Sequence, residues 1–144
     1  MKSSHSQPRL SFLRVGAIRV SGSSMAPTYN DGDWLLFRNI SIPAIPAIPA
    51  ITSIGSKVSG KASRLIGKVI LIQRNSTIGS DFVQVKRAIR IEALLGKSEL
   101  GIWVEGDNKT HSTDSRTWGP ITSSEVRGVL LLRYRKGVAQ STGL

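Results

Sequence analysis

Between Phe82 and Ile91 the chain alternates, with Val83, Val85, Ile89 and Ile91 on one face and Phe82, Gln84, Lys86, Ala88 and Arg90 on the other. A period of two belongs to a strand with two unlike faces, not to a helix. Arg87 interrupts the apolar face, so it requires a partner or a route to solvent. Shorter β-branched or aromatic runs repeat the theme at Val15 to Val20, Trp34 to Phe37, Gly67 to Gln73, Leu100 to Glu105 and Val126 to Tyr134. Turn-forming residues separate them, and only Ile91 to Glu99 has room for a helical turn. Five or six short strands of this kind predict a mainly β, antiparallel domain.

With 144 residues there is room for one such domain, and the chain is 40% hydrophobic, enough for a core. It has no cysteine, which excludes disulfides, thiolate zinc sites, iron–sulfur clusters and cysteine nucleophiles. Two histidines, His5 and His111, make a histidine-built metal centre improbable, and no cofactor is expected. The longest apolar runs have four residues, far short of the ~20 that span a membrane. The first twenty residues also lack the apolar stretch of a secretion signal. The expectation is a soluble, cytoplasmic chain with no transmembrane anchor.

Twenty Lys and Arg against nine Asp and Glu leave a net charge of +11, and no acid lies between Asp33 and Asp81. Such a field favours anionic partners, with peripheral contact to an anionic membrane among them. Specific nucleic-acid binding is not expected. Binding modules of that class stack bases on exposed aromatics, whereas Trp34 and Trp103 sit in apolar runs and read as core.

Residues 1–14 read as a mobile basic tail, 15–136 as the domain and 137–144 as a flexible end. Within the domain, 39–66 reads as a Pro/Gly/Ser-rich insertion loop. It opens with Ile-Pro-Ala three times over, at 42–50. Proline at every third position fixes φ and removes donors, which favours an extended polyproline-type segment.

Three segments carry polar groups suited to chemistry: Ser21 to Thr28 with Asp31 and Asp33, then Val85-Lys86-Arg87, then Gly106 to Arg116. Each has an ordinary explanation when taken alone. Serines beside glycine and proline hydrogen-bond their own turns. A strand lysine snorkels to water. Gly106-Asp107-Asn108 forms a hairpin turn, and Asp114 with Arg116 makes a surface pair of little worth.

Taken in order, SGSSMAPT with DGD, then VKRA, then GDNKTHSTDSR with WGP resembles the signal peptidase I family of serine proteases over about residues 18–135. The resemblance implies a signal-peptidase-like fold of short coiled sheets and a Ser/Lys dyad. Ser24, followed by Met25, takes the place of the nucleophile, and Lys86 takes that of the base. A hydroxyl needs a base to remove its proton. Lysine serves only when neutral, which burial against an apolar wall favours, and Phe82, Ala88 and Met25 are the candidates for that wall. Ser112 is implied as the group that orients the lysine, with Asp114 and Arg116 as a buried pair behind it. The Ser24 N–H is implied in the oxyanion hole. Some relatives add a hydroxyl two residues before the nucleophile, where this chain has Gly22. His111, beside Ser112, Asp107 and Asp114, suggests a Ser–His–Asp triad, but an exposed turn histidine is the preferred reading because Lys86 already fills the base role. Asp31 and Asp33 correspond to turn residues.

Two features depart from ordinary signal peptidases: no anchor precedes the nucleophile, and Ile91 to Gly96 replaces the usual proline-glycine-aspartate turn. The short form, with Trp103 to Asn108 and a closing strand to Tyr134, is similar to the branch that matures nickel-type superoxide dismutase. The partner that this implies is a precursor protein, the nickel superoxide dismutase precursor, from which a propeptide is removed. A type I signal peptidase acting on secreted precursors is the alternative. More distant alternatives are a repressor-type self-cleaving domain and a non-catalytic nucleic-acid-binding β-barrel.

Overall fold

A computed structural model describes residues 14–47, 60–74 and 82–138. The basic tail, the third Ile-Pro-Ala unit with the linker after it, and the last six residues lie outside them. Seven strands run in chain order: β1 (Val15–Arg19), β2 (Trp34–Asn39), β3 (Ile45–Pro46), β4 (Val69–Arg74), β5 (Phe82–Ala93), β6 (Glu99–Glu105) and β7 (Val126–Arg135). They form one antiparallel sheet in the order β1-β2-β7-β4-β5-β6-β3. The mainly β antiparallel fold read from the sequence is therefore present, with one strand more than expected. A four-residue helix, Ser115–Trp118, and a 3-10 turn, Ser123–Glu125, complete the assigned elements after β6. Among the described residues no helix is long and apolar enough to cross a membrane.

β4 shows why its sequence is a continuous apolar run. It lies between β5 and β7, and Val69, Ile70, Leu71 and Ile72 are all buried. Ile70 and Ile72 join one core with Ala88, Ile102, Val104 and Ile121, whereas Leu71 joins the other with Val20, Leu35 and Phe37. A strand covered on both faces has no polar side to show.

β5 divides its pairing. Phe82–Arg87 pair with β4, and Arg87–Ala93 pair with β6. A register shift between Ala88 and Arg90 marks a bulge, which bends and twists the strand. Among the described residues, the edge of β5 from Val83 to Lys86 has no strand partner on the β6 side. Ile91 to Glu99 is not helical: β5 continues to Ala93, and a turn leads into β6.

The Ile-Pro-Ala segment was expected as a loop over the core, but the structure seats part of it inside. Ile42 and Ile45 are buried with Ala62 and Leu65, while Pro43, Ala44, Pro46 and Ala47 are exposed. A polyproline helix has three residues per turn, so side chains three apart share an edge. That edge faces the core. Ile45–Pro46 pairs with Glu99–Leu100 as the outermost strand, a position where proline costs no ladder bond on its free side. The tryptophans also differ from expectation. Trp34 is half-buried beside Tyr134, and Trp103 is half-buried under Arg90 with its Nε1 donating to Glu105. An indole N–H requires a partner, which favours a place near the surface.

Ile45→Ala tests whether the repeat is structural. It is expected to cost about 2–5 kcal/mol by chemical denaturation, the range for a truncated core isoleucine. Pro43→Ala, at an exposed position, should change stability by about 0.5 kcal/mol or less.

Candidate active site

Ser24 lies in the turn-rich stretch between β1 and β2, and several polar contacts fix that stretch. The Val20 N–H donates to the Asp33 carbonyl, and the Gly32 N–H donates back to the Val20 carbonyl, both at 2.8 Å. The Asp33 side chain, 2% exposed, accepts from the Asn30 N–H at 2.8 Å, the Gly137 N–H at 2.7 Å and Arg133 at 3.1 Å. Burial alone would raise its pKa, but these donors hold the carboxyl below its ordinary value. Asp31 accepts the Gly22 N–H at 2.8 Å. Both aspartates thus act within the turn. Gly22 has φ +89°, where an L side chain is strained, so the hydroxyl that some relatives carry there would not suit this backbone. Met25, the next residue after Ser24, is 1% exposed and anchors the turn in the interior.

Lys86 stands on β5 where pairing passes from β4 to β6, and it is 4% exposed. Its Nζ donates to Ser112 Oγ at 3.0 Å, and no carboxylate pairs with it among the described residues. Burial pushes its pKa below the ordinary lysine value; the nearby Asp114 opposes that shift and Arg116 adds to it. Ser24 and Lys86 line one cavity of about 320 Å³. Its apolar lining comes from Ile18, Val20, Val83 and Val85. Met25 and Ala88, expected in that wall, are buried, and the Phe82 side chain lies outside the described groups.

The third segment carries the support. Ser112 Oγ accepts from Lys86 and donates to Asp114 Oδ2 at 2.7 Å. Asp114 is fully buried and also receives the Gly106 N–H at 2.8 Å and two bonds of 2.9 Å from the Arg116 guanidinium. Burial would raise its pKa, yet Arg116, Gly106 and Ser112 hold it well below the carboxylate range. The pair is buried on one side only, because Arg116 is 37% exposed. The same aspartate caps the helix Ser115–Trp118 by accepting the Arg116 N–H. His111 is exposed in the turn between Asn108 and Ser112.

Three contributors were missed in the sequence. Asn108, read as a turn residue, donates its N–H to the Ser24 carbonyl at 2.9 Å and its Nδ2 to the Ser23 carbonyl at 3.0 Å. Asp107 binds Arg87 through two bonds of 2.8 Å and also receives a bond from Thr28. That answers the question posed by Arg87, which further donates to the Gly67 carbonyl at 2.7 Å. Gly106 is packed so closely that a Cβ would lie 2.1 Å from Ser112 Oγ and 2.5 Å from the Ser24 carbonyl. The glycine before the Asp-Asn pair was the available signal, since such a residue often marks close backbone approach.

A serine hydroxyl and a buried amine in one cleft, with that amine held by a hydroxyl and no counter-ion, can carry out nucleophilic chemistry. Gly106→Ala is expected to destabilise the fold by about 1–3 kcal/mol, as overpacking does. It should also displace Ser112 from Lys86. Urea denaturation measures the first effect, and titration of the Lys86 Nζ by NMR reads the second.

The chain is also similar to known proteases. A family model described as signal peptidase, peptidase S26, matches residues 93–135, which contain the Gly106–Arg116 segment. The chain is 28% identical over 121 residues to mitochondrial inner membrane protease subunit 1 of Homo sapiens, covering 82% of this chain and 68% of that protein. It is 30% identical over 120 residues to mitochondrial inner membrane protease subunit 2 of Saccharomyces cerevisiae, covering 79% and 64%. An Arabidopsis thaliana relative, mitochondrial ATP-independent inner membrane protease subunit 1a, is 28% identical over 124 residues, covering 83% and 70%. The chain is thus similar over residues 93–135 to the signal peptidase, peptidase S26 family, and over most of its length to proteases of the mitochondrial inner membrane.

Proposed function

We propose that this chain is a Ser/Lys endopeptidase that removes N-terminal leaders from precursor proteins, with Ser24 as nucleophile and Lys86 as general base. The observation that carries the reading is the buried Lys86 amine, hydrogen-bonded to Ser112 Oγ and facing the cavity that Ser24 lines. In the neutral state Lys86 takes the proton of Ser24 Oγ as that oxygen attacks the scissile carbonyl carbon. The tetrahedral oxyanion is stabilised by the Ser24 N–H, which has no acceptor among the described residues. The Lys86 ammonium then gives its proton to the departing amine. A water, deprotonated by Lys86, hydrolyses the resulting ester and restores Ser24. Ser112 orients the amine through this cycle, and Asp114 and Arg116 fix Ser112.

The substrate's backbone has a natural place. Among the described residues Val83 to Lys86 present an unpaired strand edge at the cavity, which Ile18 to Ser21 also line. An extended peptide laid there gains main-chain hydrogen bonds, which suits an unfolded leader junction.

The relatives favour leader processing over the nickel superoxide dismutase precursor expected from overall form. Their names describe inner membrane proteases, and nothing in them refers to that dismutase. An enzyme of the type I signal peptidase kind is therefore the preferred reading, and the dismutase precursor serves as the comparison substrate.

Intact-mass analysis tests both. A leader-bearing secretory precursor is expected to be cut once by the wild type, with Ser24→Ala slower by about three orders of magnitude or more. Cleavage of neither substrate, or cleavage that survives Ser24→Ala, would overturn the reading; cleavage of the dismutase precursor alone would reinstate the narrower one.

The pH dependence has a definite sign. Activity requires the neutral amine, so the rate should climb with pH to a midpoint below the ordinary lysine value of about 10.4. Arg116→Gln removes a cation that disfavours the ammonium and leaves the attraction of Asp114. The midpoint should then move to higher pH, read from a kcat/KM profile. Lys86→Arg should be inactive across the whole range, because guanidinium stays charged.

A further inference from the structure

A second cavity of about 320 Å³ opens beside β2 and shares no lining residue with the cleft of Ser24 and Lys86. Four cations surround it, brought together from separate parts of the chain: Arg38 on β2, Lys61 in a helical stretch, Arg64 in the turn after it, and Lys68 immediately before β4. Its floor is apolar, with Ile42, Leu65 and Val129 each buried in the core. All four basic residues are exposed, and none pairs with a carboxylate among the described residues. Other exposed basic residues without an acidic partner among the described residues, Arg14, Arg19, Arg127, Arg135 and Lys136, line no part of this cavity.

From four cations gathered around one cavity with an apolar floor we infer that the cleft is an anion site for a phosphate group bearing an apolar substituent. Four like charges converging on one small cavity repel one another, and that repulsion is relieved when an anion enters. A tetrahedral oxyanion accepts several N–H donors at once, and two guanidinium forks with two ammonium groups supply them. Ile42, Leu65 and Val129 provide the surface against which the esterified carbon side of the phosphate packs. The phosphate can be that of an anionic lipid headgroup or of a small soluble ester, and the chemistry of the site is shared by both. The site is independent of the protease reading, since its residues take no part in the dyad or its support.

The test uses the full chain. Inorganic phosphate is titrated by calorimetry, and binding to phosphatidylcholine vesicles with and without phosphatidylglycerol is measured by sedimentation. Arg38→Gln with Arg64→Gln should weaken binding about 30-fold, the sum of two lost cations. Arg135→Gln with Lys136→Gln removes the same charge at an exposed strand end and should change it several-fold less. If the first pair lowers the melting temperature, Lys61→Gln with Lys68→Gln replaces it. Binding of both probes assigns the site to phosphate itself, and binding of the phosphatidylglycerol vesicles alone assigns it to a lipid headgroup. The inference is overturned by equal losses in the cleft and control variants, by no binding of either probe, or by preference for polyglutamate over both. Ser24→Ala should bind like the wild type.

Discussion

The hydrogen bonds converging on Asp114 are the constraint from which the rest of the site follows. A carboxylate with no exposure survives only if its oxygens are satisfied. Here the Gly106 N–H, the Ser112 hydroxyl, the Arg116 backbone and the Arg116 guanidinium all donate to it. Since Ser112 must donate its only proton to Asp114, its oxygen is left as an acceptor. The Lys86 amine is the donor that meets it. A neutral amine still has two N–H bonds and one lone pair. Committing one N–H to Ser112 fixes the direction of the rest without adding a full counter-charge at the nitrogen. Placing the carboxylate one hydroxyl away keeps the pKa lowered; a carboxylate in direct contact would raise it.

The same logic governs how a chain with nine acids and twenty basic groups distributes its ion pairs. Three of those acids tie the active-site segments together. Asp33 joins the start of β2 to Arg133 on β7. Asp107 joins the Gly106–Arg116 segment to Arg87 on β5 and to Thr28 beyond the nucleophile turn. Asp114 closes the segment on itself through Arg116. Arg87, the residue next to Lys86, is fully engaged, so the strand is held while the lysine itself stays free of any ion pair. Removing one partner from such a pair leaves a buried charge and costs more than the pair contributes. These residues therefore act on stability and on geometry together.

Much of this was legible in the sequence, for reasons that can be named. The VILI run was read as a strand, and the alternation from Phe82 placed Lys86 on a different face from Val83 and Val85. Arg87 stood out because a cation on an apolar face must find a partner. Its partner, Asp107, was not legible, since twenty residues and a second strand separate them. Asn108 escaped because Gly-Asp-Asn has a sufficient explanation as a turn, and only tertiary structure brings the Ser23 and Ser24 carbonyls to it. The place of the Ile-Pro-Ala repeat was not legible. Ile42 and Ile45 recur at a spacing of three, yet polarity alone could not tell that they meet the core.

The grouping of cations also bears on what the large positive charge does. Arg14, Arg19, Arg127, Arg135 and Lys136 are exposed without acidic partners among the described residues, as a charge that serves solubility would be. Arg38, Lys61, Arg64 and Lys68 differ from them in sharing one cavity floored by buried aliphatic side chains. Ile42 and Leu65 hold the two sides of that floor in the core, so the segment that supplies the unpaired charge is anchored by the same side chains that complete the hydrophobic packing. Stability and charge placement are thereby linked. Loosening the Ile-Pro-Ala edge would cost core burial and spread the cations apart, while the dyad cleft, framed by other residues, would keep its own lining.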